Sequence, residues 1–384
     1  MALSVVLLSG AGLLLHSFWN TLRVNPGFNP NNLMVARIWV PHPNNPEANK
    51  YRTGSPVAAL SREILRQVRT LPGIEEAAMG GTNSVPLVNK FSTNPIAFSL
   101  PDESDSAQKQ RATEYAAVSP EFFQVLRTPL RRGRVFTEAD AEKSKRVVLV
   151  NESFAKQYLH SQDVGKRMNF FGRDWEIVGV MGDVRDDGLD TPAAPRVYLA
   201  LYQRSGDEMA IFLRGSPGTS GLKQALARIV QGIDADLPVY GVRSMQEMMA
   251  ASLARRRFSL WLMAAFGALA LFLASIGIYG VMAYAVSQRT QEFGIRMALG
   301  ARPVDILLLA FRPGIILTSI GVVAGLLGAL GATHVMSSLL FGVSSNDPLT
   351  FAGVPLALAV AASLACWIPA RRAVRIPPVV ALRS

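Results

Sequence analysis

From Phe258 to Ser287 the chain runs for about 30 residues without one charged side chain. A hydrocarbon core roughly 30 Å thick needs about 20 apolar residues in a helix, so this run spans a bilayer with length to spare for tilt or protrusion. Three further stretches share its character. Ala2 to Phe18, "ALSVVLLSGAGLLLHSF", is slightly short of a span; Pro313 to about Leu340 follows Arg312; Leu349 to Ala370 is closed by "RRAVR". The first lacks the basic leader and the A-x-A site of a cleaved signal peptide, and reads as a transmembrane helix whose beginning is missing, with an uncleaved signal anchor as the alternative. In the third, Gly321, Gly325, Gly328 and Gly331 recur at near-helical spacing, and small residues so placed let helices approach closely in lipid.

About 235 residues between the first and second spans read as a water-exposed domain. "LMVARIWVP" has the pattern of a strand, "PVAALSREILRQVRTL" of an amphipathic helix and "GIEEAAMGG" of a returning strand. In that helix Val57, Leu60, Ile64, Leu65, Val68 and Leu71 fall on one face. The order recurs as "MAIFLRGS", then "GLKQALARIVQGI" with Leu222, Leu226, Ile229 and Ile233 aligned, then "PVYGVRS". The two βαβ-like units, 33–81 and 209–254, bracket the domain and predict one subdomain built from discontinuous sequence. Between them, from about 82 to 203, short β-type runs such as "RVVLVN", "WEIVGVMGDV" and "RVYLALY" predict a β-rich insertion.

The formal net charge of +11 invites a nucleic-acid reading, but its distribution argues against one. Residues 255–384 hold 11 Lys/Arg against 3 Asp/Glu, whereas residues 1–254 hold 28 against 25. Most of the excess therefore flanks apolar segments, where basic residues anchor helices, rather than a folded surface with stacking aromatics. Arg289, Arg296, Arg302 and Arg312 lie in the connection between the second and third spans, and Arg371, Arg372, Arg375 and Arg383 in the tail. The loop "GVSSNDPLT" carries only Asp347. By the positive-inside rule the connection and both termini are cytoplasmic and the large domain is outside. Arg255, Arg256 and Arg257 run against this, but long translocated domains largely escape the rule.

Groups for catalysis are sparse. His16, His42, His160 and His334 stand alone, with His16 and His334 reading as interfacial residues, and Cys366 reads as a free thiol inside an apolar stretch. "GDVRDDGLD" holds four aspartates at a spacing that fails the calcium-loop pattern, and reads as a solvated turn. Gly165-Lys166 is followed by Arg167, and position 160 is His160, so no phosphate-cradling G-x-x-x-x-G-K-[ST] loop is present in this sequence.

The connection itself, "RTQEFGIRMALGARPVDIL", has helix formers around Gly294 and a C-capping glycine, Gly300, before Pro303. Phe293, Met297 and, less well aligned, Leu299 form an apolar stripe beside Arg289, Glu292 and Arg296, the pattern of a short helix lying along the membrane surface. From periodicity alone it can equally be an elbow that anchors two helices.

"SQRTQEFGIRMALGARPVDIL" closely resembles the segment after the second span in the MacB/FtsX-like ABC transporter permease family. So do "LSGAGLLLHSFWNTLRVNPGFNPNNLMVARIWVP", "VSPEFFQVLRTPLRRGRVFTEAD", "VVLVNESFAKQYL", "EIVGVMGDVRDDGLDTPAAPRVYLAL", "FGVSSNDPLTF" and "PARRAVRIPPVVALR", which look most like the second half of its duplicated, ATPase-less permeases. The resemblance implies a membrane α-helical protein of four transmembrane helices, with a large α+β extracytoplasmic domain (MacB-like periplasmic core) inserted between helices 1 and 2. On the sequence the divisions fall at 1–19 (first span), 20–254 (outer domain), 258–287, 289–303 (coupling helix), 304–340, 349–370 and 371–384 (cytoplasmic tail).

The same resemblance implies that Glu292, Phe293, Gly294, Ile295, Arg296, Met297, Leu299 and Gly300 dock on a separate cytoplasmic ABC ATPase. Phe293, Ile295, Met297 and Leu299 would supply apolar knobs, with Glu292 and Arg296 setting register. ATP and magnesium would sit on that ATPase, with no cofactor, metal or catalytic residue in this chain. Further implied partners are a second permease half, a periplasmic adaptor and the lipid bilayer of a bacterial inner membrane, but no nucleic acid. The implied function is export or extrusion driven by movement of the outer domain, and the alternative is a signalling module that activates an outer enzyme such as a cell-wall hydrolase.

Overall fold

The computed structural model describes residues 2–41, 50–51, 54–87, 95–101, 111–159, 163–203, 208–216, 219–289, 291–292, 295–296, 299–335 and 347–374. Contacts divide the chain into residues 24–253 and a second unit of residues 1–23 with 254–384.

In the first unit, strand β1 (Leu33–Trp39) alternates so that Ala36 and Ile38 face one core and Leu33 and Val35 another. Helix α1 (Ala2–Leu22) precedes it in the chain, and α2 (Gly54–Val68) follows. The apolar face read from the sequence is the buried face of α2: Val57, Leu60, Ile64, Leu65 and Val68 are each 5% exposed or less, with Leu71 packed beside them. Strand β2 (Ile74–Gly81) completes the first βαβ unit. The second is β10 (Glu208–Gly215), α4 (Thr219–Ile233) and β11 (Val239–Ser244). Its helix buries Leu222, Leu226 and Val230, with Ile229 and Ile233 half-buried at the edge.

The strands interleave in the order β11-β1-β10-β2 with every pairing antiparallel, so each unit is a split βαβ with a strand of the other unit inserted. Sequence order hides this, because β1 finds its partners, β10 and β11, about 170 to 210 residues later.

The insertion carries β3 (Ile96–Ser99), β4 (Ala112–Val118), the short helix α3 (Phe122–Leu126), β5 (Leu130–Gly133), β6 (Val147–Asn151), β7 (Arg167–Phe170), β8 (Arg173–Met181) and β9 (Arg196–Ala200). Pairings run β4-β3-β7-β8-β6-β9 and return from β9 to β4, which closes a six-stranded ring; β5 adds to β8. A single pair, Gly80 with Val118, joins ring and split sheet into one hydrogen-bonded surface. Val148, Phe154, Phe170 and Ile177 of the insertion share one apolar cluster with Ile64 of α2 and Ile211 of β10.

The second unit consists of α1, the part of α5 (Met245–Gln288) beyond residue 253, α6 (Pro303–Val335) and α7 (Pro348–Val374). All four helices are long and apolar enough to cross a membrane. Large side chains such as Trp261, Phe272, Leu327 and Leu364 are more than half exposed, as on a lipid-facing surface. Gly325 and Gly328 of α6 meet Val5 and Val6 of α1, whereas Gly331 meets nothing within 4 Å. Cys366 is a free thiol buried with Ile278, Met282 and Ala362.

Helix α5 differs from the sequence expectation. It begins at Met245, inside the unit of residues 24–253, rather than with the charge-free run at Phe258. The reason is a capping box: Ser244 Oγ accepts the Glu247 N–H at 3.1 Å, and a Glu247 carboxylate oxygen accepts the Ser244 N–H at 3.1 Å. Met245, fully buried in the outer domain's core, fixes the helix start there. The helix has 44 residues, about 66 Å at 1.5 Å per residue. Helices α6 and α7 both start on proline, which lacks the N–H that a first turn leaves unpaired.

Candidate functional sites

The connection between α5 and α6 is helical at Gln291–Glu292 and Ile295–Arg296. Its end is closed by Leu299 N–H to the Ile295 carbonyl and Ala301 N–H to the Arg296 carbonyl, both 3.0 Å, with Gly300 at φ +90°. The second bond spans six residues, and with the left-handed glycine it is the Schellman arrangement that Gly300 predicted. Glu292 and Arg296 pair with each other at 2.6 Å, one helical turn apart, so their charges are matched inside the segment. Ile295 is 48% and Leu299 82% exposed. Phe293, Gly294 and Met297, which the sequence places in the same set, lie outside the described residues. The arrangement is a capped end with exposed apolar side chains beside a matched ion pair.

Among the described residues no group of three or more His, Cys, Asp or Glu could hold a metal ion. His16 is more than an interfacial residue: its Nδ1 lies 3.1 Å from an Asp347 carboxylate oxygen. The same oxygen accepts the Thr350 N–H and hydroxyl, so Asp347 caps α7 and ties it to α1.

The outer domain holds two buried arginines that sequence reading passed over. Arg196 is 2% exposed; its Nη2 donates to Glu114 at 2.5 Å, its Nη1 to the Asn83 carbonyl at 2.9 Å, and its Nε lies 3.2 Å from Asp186. This overturns the reading of "GDVRDDGLD" as a solvated turn, because the Asp186 side chain is only 12% exposed. Burial pushes its carboxyl up to about 6 against the pull of Arg196, with Glu114 and Asp187 adding to the rise. Glu114 and Arg196 lie on strands and Asp186 in the irregular segment between β8 and β9, and nothing in periodicity distinguishes a strand arginine that points inward.

Arg214 is 5% exposed and donates only to backbone: Nε to the Val125 carbonyl at 2.6 Å, Nη1 to Asn31 at 2.7 Å and Nη2 to Asn29 at 2.8 Å. It thereby fastens the segment that leaves α1 to the end of α3. A cavity of about 440 Å³ lies beside this segment, lined by residues 25 and 27–30 together with Arg127, Arg131, Glu152 and Asp183.

The family model for the MacB-like periplasmic core domain matches residues 1–232, and that for the FtsX-like permease C-terminal region matches residues 264–378. The chain belongs to the MacB/FtsX-like permease family. This permease is 28% identical over 286 residues to the pyoverdine export ATP-binding/permease protein PvdT of Pseudomonas putida, covering 68% of the chain and 42% of that protein. It is 24% identical over 308 residues to the macrolide export ATP-binding/permease protein MacB of Wolinella succinogenes, covering 75% of the chain and 47% of that protein. The permease thus spans less than half the length of either relative. Among solved structures, the periplasmic region of MacB from Actinobacillus actinomycetemcomitans aligns at TM-score 0.39 and 15% identity, covering 60% of this chain and 97% of that one. Family and apolar helices together make this a membrane-integral permease with a periplasmic-type domain.

Proposed function

We propose that the chain is the permease part of an ABC-type exporter whose ATP hydrolysis is performed by a cytoplasmic ATPase holding ATP and magnesium. The observation that carries the reading is the capped connection between α5 and α6, which presents Ile295 and Leu299 to solvent on a segment whose own charges are paired. Exposed apolar groups beside satisfied polar ones are the composition of a docking site. Glu292, Phe293, Gly294, Ile295, Arg296, Met297, Leu299 and Gly300 form this handle. The basic residues around it support an inner-membrane orientation with the handle and both termini in the cytoplasm.

In this scheme the ATPase moves the handle, and α5, continuous from Gln288 to Met245, carries the displacement into the outer domain, where substrate is extruded. PvdT and MacB are both named as export proteins, which favours this over activation of an outer enzyme. A second permease half completes the machine, as a second copy or a duplicated half, and a periplasmic adaptor receives what is extruded.

The test is co-purification with the cytoplasmic ABC ATPase that the unsubstituted permease retains on purification. Ile295→Asp and Leu299→Asp alter exposed side chains, so the folded yield should be unchanged while the ATPase is lost from the purified complex. Retention of the ATPase by both variants would sink the assignment.

A further inference from the structure

The segment that leaves α1, "NPGFNP" at residues 25–30, forms one wall of the 440 Å³ cavity, and it is fixed there by backbone contacts. Gly27 adopts φ +85°, and a Cβ on it would lie 1.8 Å from the Asp183 carbonyl oxygen, so only glycine fits. The Pro26 carbonyl accepts the Arg185 N–H at 3.0 Å, and the Gly27 carbonyl accepts the Thr128 hydroxyl at 3.1 Å. The Asn29 N–H donates to Leu126 at 2.9 Å. This wall is preformed.

The opposite side carries charge of both signs. Arg127 follows α3 in the left-handed region, φ +60° and ψ +34°, with its N–H closing the helix on the Phe123 and Gln124 carbonyls. Glycine is the unstrained choice at such a position, and what arginine gains there is a half-exposed guanidinium lining the cavity. That guanidinium also lies 3.3 Å from Glu76. Arg131 is half-exposed, with its Nε 3.2 Å from Glu152. Asp183 is held in place by the Ser153 N–H at 2.9 Å and hydroxyl at 2.7 Å.

Two guanidinium groups and two carboxylates facing one cavity do not suit a simple anion or a simple cation, since either meets like charge. They suit a zwitterion with an oxyanion and an ammonium a few ångströms apart, each able to form charge-assisted hydrogen bonds. Such a group comes from a soluble phosphodiester or from a lipid. Chain reach decides between them: Asn25 is three residues beyond Leu22, the end of α1, which at 3.3–3.6 Å per residue is roughly 11 Å at most. Asn25, the first residue of the cavity wall, is therefore tied by a short stretch of chain to a helix of membrane-spanning length.

We infer that this cavity binds the phosphoethanolamine headgroup of a membrane lipid, with Arg127 and Arg131 on the phosphate and Glu152 and Asp183 on the ammonium. The inference is independent of any ATPase and rests only on the chain being membrane-integral.

The experiment uses the full chain, purified in detergent and reconstituted with equal amounts of phosphatidylethanolamine, phosphatidylglycerol and phosphatidylcholine, with retained lipid read by native mass spectrometry. Phosphatidylethanolamine should be retained about tenfold over the other two, the ratio that roughly 1.4 kcal/mol produces. Phosphatidylglycerol lacks the ammonium, and phosphatidylcholine has no N–H to donate. Arg127→Gly relaxes the left-handed backbone while deleting the guanidinium, so it should keep or raise the melting temperature and lose the preference; Glu152→Gln should lose it too. Equal retention of phosphatidylglycerol, or an unchanged preference in both variants, overturns the assignment. Displacement of the lipid by equimolar glycerophosphoethanolamine overturns the lipid source.

Discussion

A Cβ placed on Gly325 of α6 would lie 2.4 Å from the Val5 Cβ of α1 and 2.9 Å from the Ala2 carbonyl oxygen. Lipid gives little hydrophobic drive for helices to associate, so such close approach, with its dispersion contacts, is what holds the pair. Gly325→Ala should therefore lower the melting temperature of the detergent-solubilised protein, by the ~1–3 kcal/mol typical of overpacking. Gly331→Ala, with nothing within 4 Å, should be neutral or slightly stabilising, since alanine is the better helix former. Equal effects at the two positions would remove the α1–α6 contact as the cause.

Asp186 gives a pH dependence of defined sign. Its folded value of about 6 exceeds the ~3.9 of an unfolded aspartate, so the folded state holds a proton that the unfolded chain releases. The stabilisation this brings is complete below about pH 4 and is lost as pH rises through 6. Asp186→Asn mimics the protonated form, so its stability relative to the unsubstituted protein should improve from pH 4.5 to 7.5, measured by thermal unfolding of both proteins across that range. A difference that stays flat with pH would mean that the carboxyl titrates normally.

Arg214 tests whether the α1 exit is clamped as drawn. Arg214→Lys offers one ammonium in place of a fork that serves three carbonyls, and Arg214→Met leaves all three without that donor. At ~1–3 kcal/mol for each buried group left unpaired, Met should destabilise more than Lys. Hydrogen exchange at residues 29–32 should accelerate in both, with α2 amides unaffected at early times.

Ser244→Ala removes an acceptor from the α5 capping box and should cost about 1 kcal/mol. Faster hydrogen exchange in the first turn after Met245, with no change near Tyr279, is the expected pattern. Uniform exchange along the helix would assign its start to packing of Met245 alone.

Local patterns that repeat with the helical or strand period were readable: Val57, Leu60, Ile64, Leu65 and Val68 are the buried face of α2, and Gly300 caps the connection as its position before Pro303 suggested. "SMQE" at 244–247 also spells a capping box, which starts α5 thirteen residues before the charge-free run at Phe258. What period does not encode is partnership across long separations. The interleaving of β1 with β10, the closure of β9 on β4 and the meeting of Arg196 with Glu114 and Asp186 are all set by tertiary packing. An inward arginine on a strand looks, letter by letter, like an outward one. The coupling role proposed for residues 292–300 rests on likeness to a family, since their periodicity alone fits an elbow equally well.

The insertion leaves and rejoins the split sheet at neighbouring positions, with Gly81 directly opposite Met209. By chain connectivity it is a detachable cassette, which a short hairpin could replace without disturbing the order β11-β1-β10-β2. Packing says otherwise, because Phe154 and Ile177 of the insertion belong to one apolar cluster with Ile64 of α2 and Ile211 of β10. Excising the cassette would bare that cluster to water, and grafting a foreign one would need matching side chains on both sides of the seam. Frame and cassette are therefore separable on paper but heritable only together.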